Sequence, residues 1–137
     1  MTENGNIGLN ESALGISVPK FWGKMMQRHV GEGPADKLLQ FAVMLSPAEA
    51  KALGLVDEVV SKEKLQAAAQ AAMQEMLRVP DFSRAGTKKL LREDFARDWA
   101  AYWDNEAEWG WKVLSEESTA KKLGGVLQRL SGKKAKM

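Results

Sequence analysis

The chain of 137 residues is 45% hydrophobic and 28% charged, which is typical of a globular domain and excludes disorder over most of its length. Zero cysteines and a single histidine exclude disulfides, thiolate metal sites and a histidine zinc centre, so we expect no metal. The net charge of +2 favours no nucleic-acid partner, and no apolar run approaches the roughly 18 to 20 residues of a membrane span.

The first organised element is the alternating stretch Ile7–Glu11, which is typical of the end of a strand. A glycine-containing loop follows, so we expect Glu11 to lie in a loop. A helix is predicted from Ser17 or Pro19 to about His29, with Gly31 as its stop.

A second helix is predicted from Pro34 to Leu45, with Leu38, Phe41 and Leu45 on its inward face. The residues Ser46, Pro47 and Glu49 then form a capping box with proline at the first helical position. This pattern predicts a short helix that ends at Gly54, and residues 55–60 are expected to form a brief extended piece.

An alanine-rich helix is predicted to begin at Ser61 or Lys62 and to end before Pro80. Two further helices are expected, one from Ser83 to about Arg92 and another that begins at Asp94. A last helix should begin at Glu117 or Ser118 and turn four apolar side chains inward, namely Leu123, Val126, Leu127 and Leu130. The whole chain is therefore predicted to be mainly α, with one or two short strands.

Two segments together resemble a known family. The first is Ile7–Glu11 with Leu14-Gly15-Ile16 after it, and the second is Ser46–Ala50 leading to Gly54–Val60. They resemble the crotonase superfamily of enoyl-CoA hydratases and isomerases. The run Gly-Leu-Asn-Glu at 8–11, followed by Val-Pro-Lys-Phe-Trp at 18–22, is most similar to its mitochondrial 3,2-trans-enoyl-CoA isomerase (dodecenoyl-CoA isomerase) branch.

The resemblance implies the C-terminal half of a crotonase-like spiral of ββα units, followed by a helical oligomerisation region. Residues 1–137 would form a single partial domain. Within it, residues 1–60 would end the spiral core and carry the Glu11 loop, and residues 61–131 would form the helical region. Residues 132–137, with Lys133, Lys134 and Lys136, would form a basic tail after a break at Ser131-Gly132.

The resemblance also implies a reaction and its site. Glu11 would be the base that shifts the double bond of a 3-enoyl-CoA to the 2-trans position, and Asn10, Leu14, Phe21 and Trp22 would bind the substrate. The substrate would be an acyl-CoA thioester, so CoA arrives with it and no separate cofactor is expected. In this family the two N–H groups that bind the thioester oxygen come from upstream segments, and the chain alone is therefore expected to be weakly active or inactive.

Two alternatives stay open. The chain could be a non-catalytic helical module that oligomerises with full-length relatives, or a fragment of an enoyl-CoA hydratase, although hydratases usually carry a proline before the equivalent glutamate. The resemblance implies a homo-oligomer, a trimer, of fatty-acid β-oxidation. It implies a mitochondrial location without a targeting signal in this sequence, with the peroxisome and the cytoplasm as alternatives.

Overall fold

The computed structural model describes residues 1–134 and confirms a mainly helical chain. Its α-helices are α1 (Lys20–Val30), α2 (Glu32–Gln40), α3 (Pro47–Ala52), α4 (Leu65–Leu77), α5 (Asp81–Ser115) and α6 (Glu117–Lys134). Two short 3₁₀ helices span Glu11–Leu14 and Lys62–Lys64. Strand pairing in residues 1–134 is reduced to two isolated bridges, a parallel one between Thr2 and Val60 and an antiparallel one between Ile7 and Leu45.

The chain divides into two compact units. The first comprises Met1–Ile7 and Leu45–Trp103, and the second comprises Gly8–Met44 and the residues from Asp104 on. In the first unit, Leu45 and Ala50 are buried. In the second unit, α1 packs against α2 and buries four apolar side chains, namely Phe21, Met26, Ala35 and Leu38. Glu11 belongs to this second unit.

The predicted capping box at the start of α3 is confirmed. The Ser46 backbone N–H donates to a carboxylate oxygen of Glu49 at 2.8 Å, and the Ser46 hydroxyl accepts from the Glu49 N–H at 3.4 Å. Pro47 occupies the first helical position, where its missing N–H costs no hydrogen bond. The helix ends at Ala52 and the chain leaves through Gly54, as expected.

The predicted second helix is too long at its C-terminal end. Instead of reaching Leu45, α2 ends at Gln40, because Ala42 adopts φ 51° and the Val43 N–H turns back to the Leu38 carbonyl at 2.9 Å. Leu38 and Leu45 are buried as predicted. Phe41 is not, and with 77% of its surface exposed it lies outside the core that the helical period assigned to it.

The two helices predicted around Arg92 and Asp94 are one continuous helix, α5. No proline or glycine interrupts residues 87–109, so nothing in the backbone forces a break there. Acidic and basic side chains pair along its surface, as in the Arg97–Asp94 contact at 2.6 Å and the Lys89–Glu93 contact at 3.7 Å. Such pairs at helical spacing favour continuation of a helix over a turn.

The last helix begins at Glu117, as predicted, but its C-terminal part differs from expectation. It continues past Ser131-Gly132 to Lys134, and the Ser131 hydroxyl donates to the Leu127 carbonyl at 2.9 Å. Leu127 is 65% exposed, so its predicted inward position is wrong, whereas Leu123 and Val126 are half-buried. The side chain of Leu130 and the tail residues 135–137, Lys136 among them, lie outside the described part of the chain.

Candidate functional site

Glu11 is the first residue of the Glu11–Leu14 3₁₀ helix, which we call the Glu11 helix. The helix is closed by backbone hydrogen bonds, from the Ala13 N–H to the Asn10 carbonyl and from the Ile16 N–H to the Glu11 carbonyl, each at 3.0 Å. It ends at Gly15, whose φ of 76° lies in the left-handed region that favours glycine. The sequence Asn-Glu-Ser-Ala-Leu-Gly therefore builds a tight turn, where a loop was expected.

Two contacts within the second unit fix the position of the Glu11 helix. The Ser12 hydroxyl donates to the Leu39 carbonyl at 2.7 Å and thereby satisfies a carbonyl in the last turn of α2. On the other side, Gly8 lies so close to the backbone that a Cβ built on it would be 2.7 Å from the Val43 carbonyl oxygen. The glycine therefore permits a close backbone approach just before Glu11.

The Glu11 carboxylate lies in an unusual environment. The residue as a whole is half-buried, yet its Oε2 atom has less than 1 Å² of accessible surface and no hydrogen-bond partner among the described residues. A buried carboxylate oxygen without a donor is energetically costly, so such atoms are uncommon in folded proteins and often mark functional sites. This buried oxygen therefore has unused capacity to accept a hydrogen bond.

The other predicted site residues fall into two groups. Asn10 and Leu14 flank Glu11 on the same short helix, Asn10 exposed at its start and Leu14 half-buried at its end. Phe21 and Trp22 lie on α1 instead, and Phe21 is 2% exposed in the α1–α2 core, whereas Trp22 is 41% exposed. The ammonium of Lys24 lies 5.1 Å from the centre of the Phe21 ring, within the range of a cation–π contact.

An open cavity of about 420 Å³ lies beside the Glu11 helix in the second unit. Its wall combines hydroxyl and amide groups with apolar side chains, contributed by Ser12, Gly15, Ile16, Ser17, Val18, Leu39 and Gln40. Glu11 adjoins this wall through Ser12. The mixture of apolar surface with a few polar groups is typical of a small-molecule site.

Sequence reasoning identified the Glu11 segment but missed part of this wall. Ser12 follows Glu11 directly, so its nearness was visible, whereas its bond to Leu39 joins positions 27 residues apart. Leu39 and Gln40 carry no local signal of a site, because only the tertiary contact between α2 and the Glu11 helix brings them to the cavity. Within residues 1–134, no three acidic or histidine side chains lie close enough together to hold a metal ion.

No helix in the described part of the chain is both long and apolar enough to cross a bilayer.

Comparison with known proteins covers nearly the whole chain. The sequence profile of the enoyl-CoA hydratase/isomerase family matches residues 1–129. Mitochondrial enoyl-CoA delta isomerase 1 of Mus musculus is 35% identical over 128 residues, and that of Homo sapiens is 35% identical over 129 residues. Each alignment covers 93% of this chain, which spans only 44% of the mouse protein and 42% of the human protein.

Solved structures agree with these sequence matches. The crystal structure of human mitochondrial delta3-delta2-enoyl-CoA isomerase superimposes with a TM-score of 0.88 and 31% identity, over 98% of this chain and 53% of that one. An enoyl-CoA hydratase/isomerase from Pseudoalteromonas atlantica T6c superimposes with a TM-score of 0.78 over 93% of this chain and 52% of that one. At 17% identity the second likeness concerns the fold alone.

Proposed function

Because this chain belongs to the enoyl-CoA hydratase/isomerase family, we propose that it carries the base of an enoyl-CoA isomerase site, with Glu11 moving a proton from C2 to C4 of a 3-enoyl thioester. Membership of the family and the predicted crotonase-like fold are confirmed by the profile and by the superposition on the human isomerase. The proposal concerns what this half of the fold does in the reaction.

The observation that carries the proposal is the free, buried oxygen of Glu11. A base that removes a carbon-bound proton must reach the substrate without first losing a shell of hydrogen bonds. Glu11 Oε2 has no donor among residues 1–134, and the short helix that bears it is held by the Ser12–Leu39 bond. The Ser12–Leu39 bond therefore holds the helix that bears Glu11, while one carboxylate oxygen keeps its lone pairs unused.

The chemistry needs only one such group. Glu11 would take the proton from C2, and the electron pair of that C–H bond would pass into a dienolate whose charge rests on the thioester oxygen. The same carboxyl group would then return the proton at C4, which moves the double bond from C3–C4 to C2–C3. The intermediate also needs N–H donors at its oxygen, and by family resemblance we assign these to segments outside the present sequence.

The remaining roles are proposed from the family resemblance. Leu14 and Trp22 would contact the acyl chain, Asn10 would orient the substrate or the Glu11 carboxylate by hydrogen bonding, and Phe21 would hold α1 in place behind them. We further propose that the protein acts in fatty-acid β-oxidation in the mitochondrion, in line with the name of the mitochondrial delta isomerases that it resembles. From the family resemblance alone we also propose a homo-oligomer.

The direct test is conversion of a 3-enoyl-CoA to its 2-trans isomer by the purified chain. Glu11→Gln keeps the size of the side chain but removes the base, and it should lower the rate by roughly 10² to 10⁴-fold. The matched control is Glu3→Gln, an exposed carboxylate that should leave the rate unchanged. A measurable wild-type rate that Glu11→Gln leaves unchanged would refute the assignment, and hydration of a 2-enoyl-CoA by the wild type would favour the hydratase alternative.

A second candidate function is association with a full-length relative, without catalysis by this chain. The observation that favours it is apolar surface on α5, where Phe82 is 94% exposed, Leu90 81% and Trp111 77%. Exposed apolar side chains of this size often mark protein interfaces. Sedimentation of the chain with human mitochondrial enoyl-CoA delta isomerase 1 would test it, since two unmixed species would argue against a shared oligomer.

A further inference from the structure

The side chain of Lys122 on α6 lies across the Glu11 helix. The two elements are in contact within the second unit, and a Cβ built on Gly15 would be 2.6 Å from Lys122 Nζ and 3.5 Å from its Cδ. Thr119, one turn earlier on the same side of α6, is only 3% exposed. Thr119 is therefore packed, whereas Lys122 is exposed and its side chain extends to Gly15, a residue of the cavity wall.

The ammonium of Lys122 has no hydrogen bond or ion pair among the described residues. Its helical neighbours three and four positions away are Ser118, Thr119, Gly125 and Val126, none of which carries a carboxylate. The contrast with α5 is clear, because Lys89 and Arg97 there pair with acidic residues at helical spacing. An uncompensated cation beside a cavity attracts an anionic ligand group.

No residue of the cavity wall carries a positive charge of its own. The Ser12 hydroxyl already donates its proton to the Leu39 carbonyl, so it offers a ligand only acceptor lone pairs. Ser17 and Gln40 are neutral, and Ile16, Val18 and Leu39 are apolar. The wall itself is therefore neutral and partly apolar, and the charge of Lys122 lies beside Gly15 rather than in the wall.

We propose that Lys122 binds an anionic group, a carboxylate or a phosphate, of the ligand that occupies this cavity. The inference deepens the proposed function and rests on it for the identity of that ligand, an acyl thioester. Such a molecule offers the two anions from different parts, a phosphate from its CoA portion or a carboxylate at the far end of its acyl chain. Lys122 would thus set which thioesters bind, while Glu11 performs the proton transfer.

The test uses simple probes that need no turnover. The amide resonance of Gly15 is followed in the ¹⁵N-labelled full chain during titration with inorganic phosphate, with octanoate and with octanamide, an uncharged analogue of octanoate. We expect a saturable shift with at least one anion and weaker binding of octanamide. Lys122→Met should weaken binding of that anion about five-fold, the size expected for one exposed charge pair. Raising the salt concentration should also weaken binding of that anion.

Two variants serve as controls. Lys121→Met removes a charge from the adjacent position of α6, which points about 100° away around the helix, and should leave binding unchanged. Lys122→Arg keeps the charge and should retain most of the affinity. A preference for phosphate would assign the CoA portion, and a preference for octanoate would assign an acyl-chain carboxylate.

The proposal would be overturned if neither anion shifts Gly15, or if Lys122→Met binds both anions as tightly as wild type. It would also be overturned if Lys121→Met weakens binding equally. None of these results depends on isomerase turnover. A chain that binds the anion through Lys122 but shows no Glu11-dependent rate would retain this inference and lose the proposed function.

Discussion

At the scale of single residues, Gly8 holds the segment before Glu11 against the chain at Val43. We expect Gly8→Ala to destabilise the protein by about 1 to 3 kcal/mol, because the added methyl group would meet a backbone carbonyl that cannot easily move. Urea denaturation measures the change. The matched control is Gly33→Ala, since a Cβ at Gly33 would meet nothing within 4 Å. A Gly8→Ala variant as stable as this control would contradict the close approach.

The stability that the capping box of α3 contributes depends on pH through the carboxyl group of Glu49. A hydrogen bond from the Ser46 side chain, and a second from its backbone N–H, lower the pKa of Glu49 below its ordinary value of 4.5. A pKa depressed in the folded state means that the contribution to stability is present above the unfolded value and is lost as the pH falls through the folded value. Wild type should therefore exceed Glu49→Gln in stability most clearly near neutral pH.

The measurement is the urea midpoint of both proteins at pH 7 and at steps below the ordinary pKa of 4.5. The difference between them should shrink as the pH falls, because protonated Glu49 no longer accepts two hydrogen bonds as an anion. A difference that stays constant over this range would show that the bonds from Ser46 do not favour the ionised form.

Some residues of the site were predictable from the sequence and others were not. The motif around Glu11 is local, so the chain order alone places Asn10 and Leu14 beside it. Lys122 is more than a hundred positions away, and only the packing of α6 on the Glu11 helix brings it near Gly15. Its missing counter-charge is equally invisible before the helix register is known.

At the scale of elements, Gly86 is a position where α5 can be strengthened. A Cβ added there would meet nothing within 4 Å, and glycine inside a helix retains backbone freedom in the unfolded chain. We expect Gly86→Ala to stabilise the protein by about 0.5 to 1 kcal/mol, read as a higher urea midpoint at unchanged slope. Gly15→Ala is the contrasting variant, and it should destabilise because φ at Gly15 is 76°.

The helix ends show what local sequence can predict. The predicted start of α3 after Ser46 was correct, because the capping box satisfies N–H groups at the start of the helix with neighbouring side chains. The end of α2 was wrong because Ala42 adopts a left-handed conformation that alanine seldom favours, and residues 43–45 turn back towards Leu38 and Ile7. That reversal depends on hydrogen bonds to residues that are distant in the sequence. The spacing of apolar residues within 34–45 carries no information about those bonds.

At the scale of the whole molecule, the amount of exposed apolar side chain predicts association. Leu90 and Leu91 on α5 are 81% and 66% exposed. Covering these adjacent leucines with another protein surface would lower the free energy of the system. We expect the apparent mass of the protein, measured by sedimentation, to rise with protein concentration. Leu90→Lys should reduce that rise. Lys89→Gln, on the same helix, should leave it unchanged. A concentration-independent monomer would refute the expectation.

The family could be predicted at this scale from two short motifs, because both carry backbone features that a fold must keep, a capped helix start and a tight glutamate-bearing turn. The resemblance also implied that only about half of the fold is present, and the superposition covers 53% of the human isomerase. The exposure of the apolar side chains on α5 could not be predicted. The spacing of apolar residues along a helix is the same whether the same chain or another protein covers them.

The hydroxyl of Ser12 couples the proposed base to the last turn of α2. Helix ends fray before helix centres do, and this one is followed at once by the reversal at Ala42. Warming should therefore loosen the carboxylate while most of the helical signal persists. The proposed isomerase activity should therefore fall at a lower temperature than the one at which the chain unfolds, and it should return on cooling.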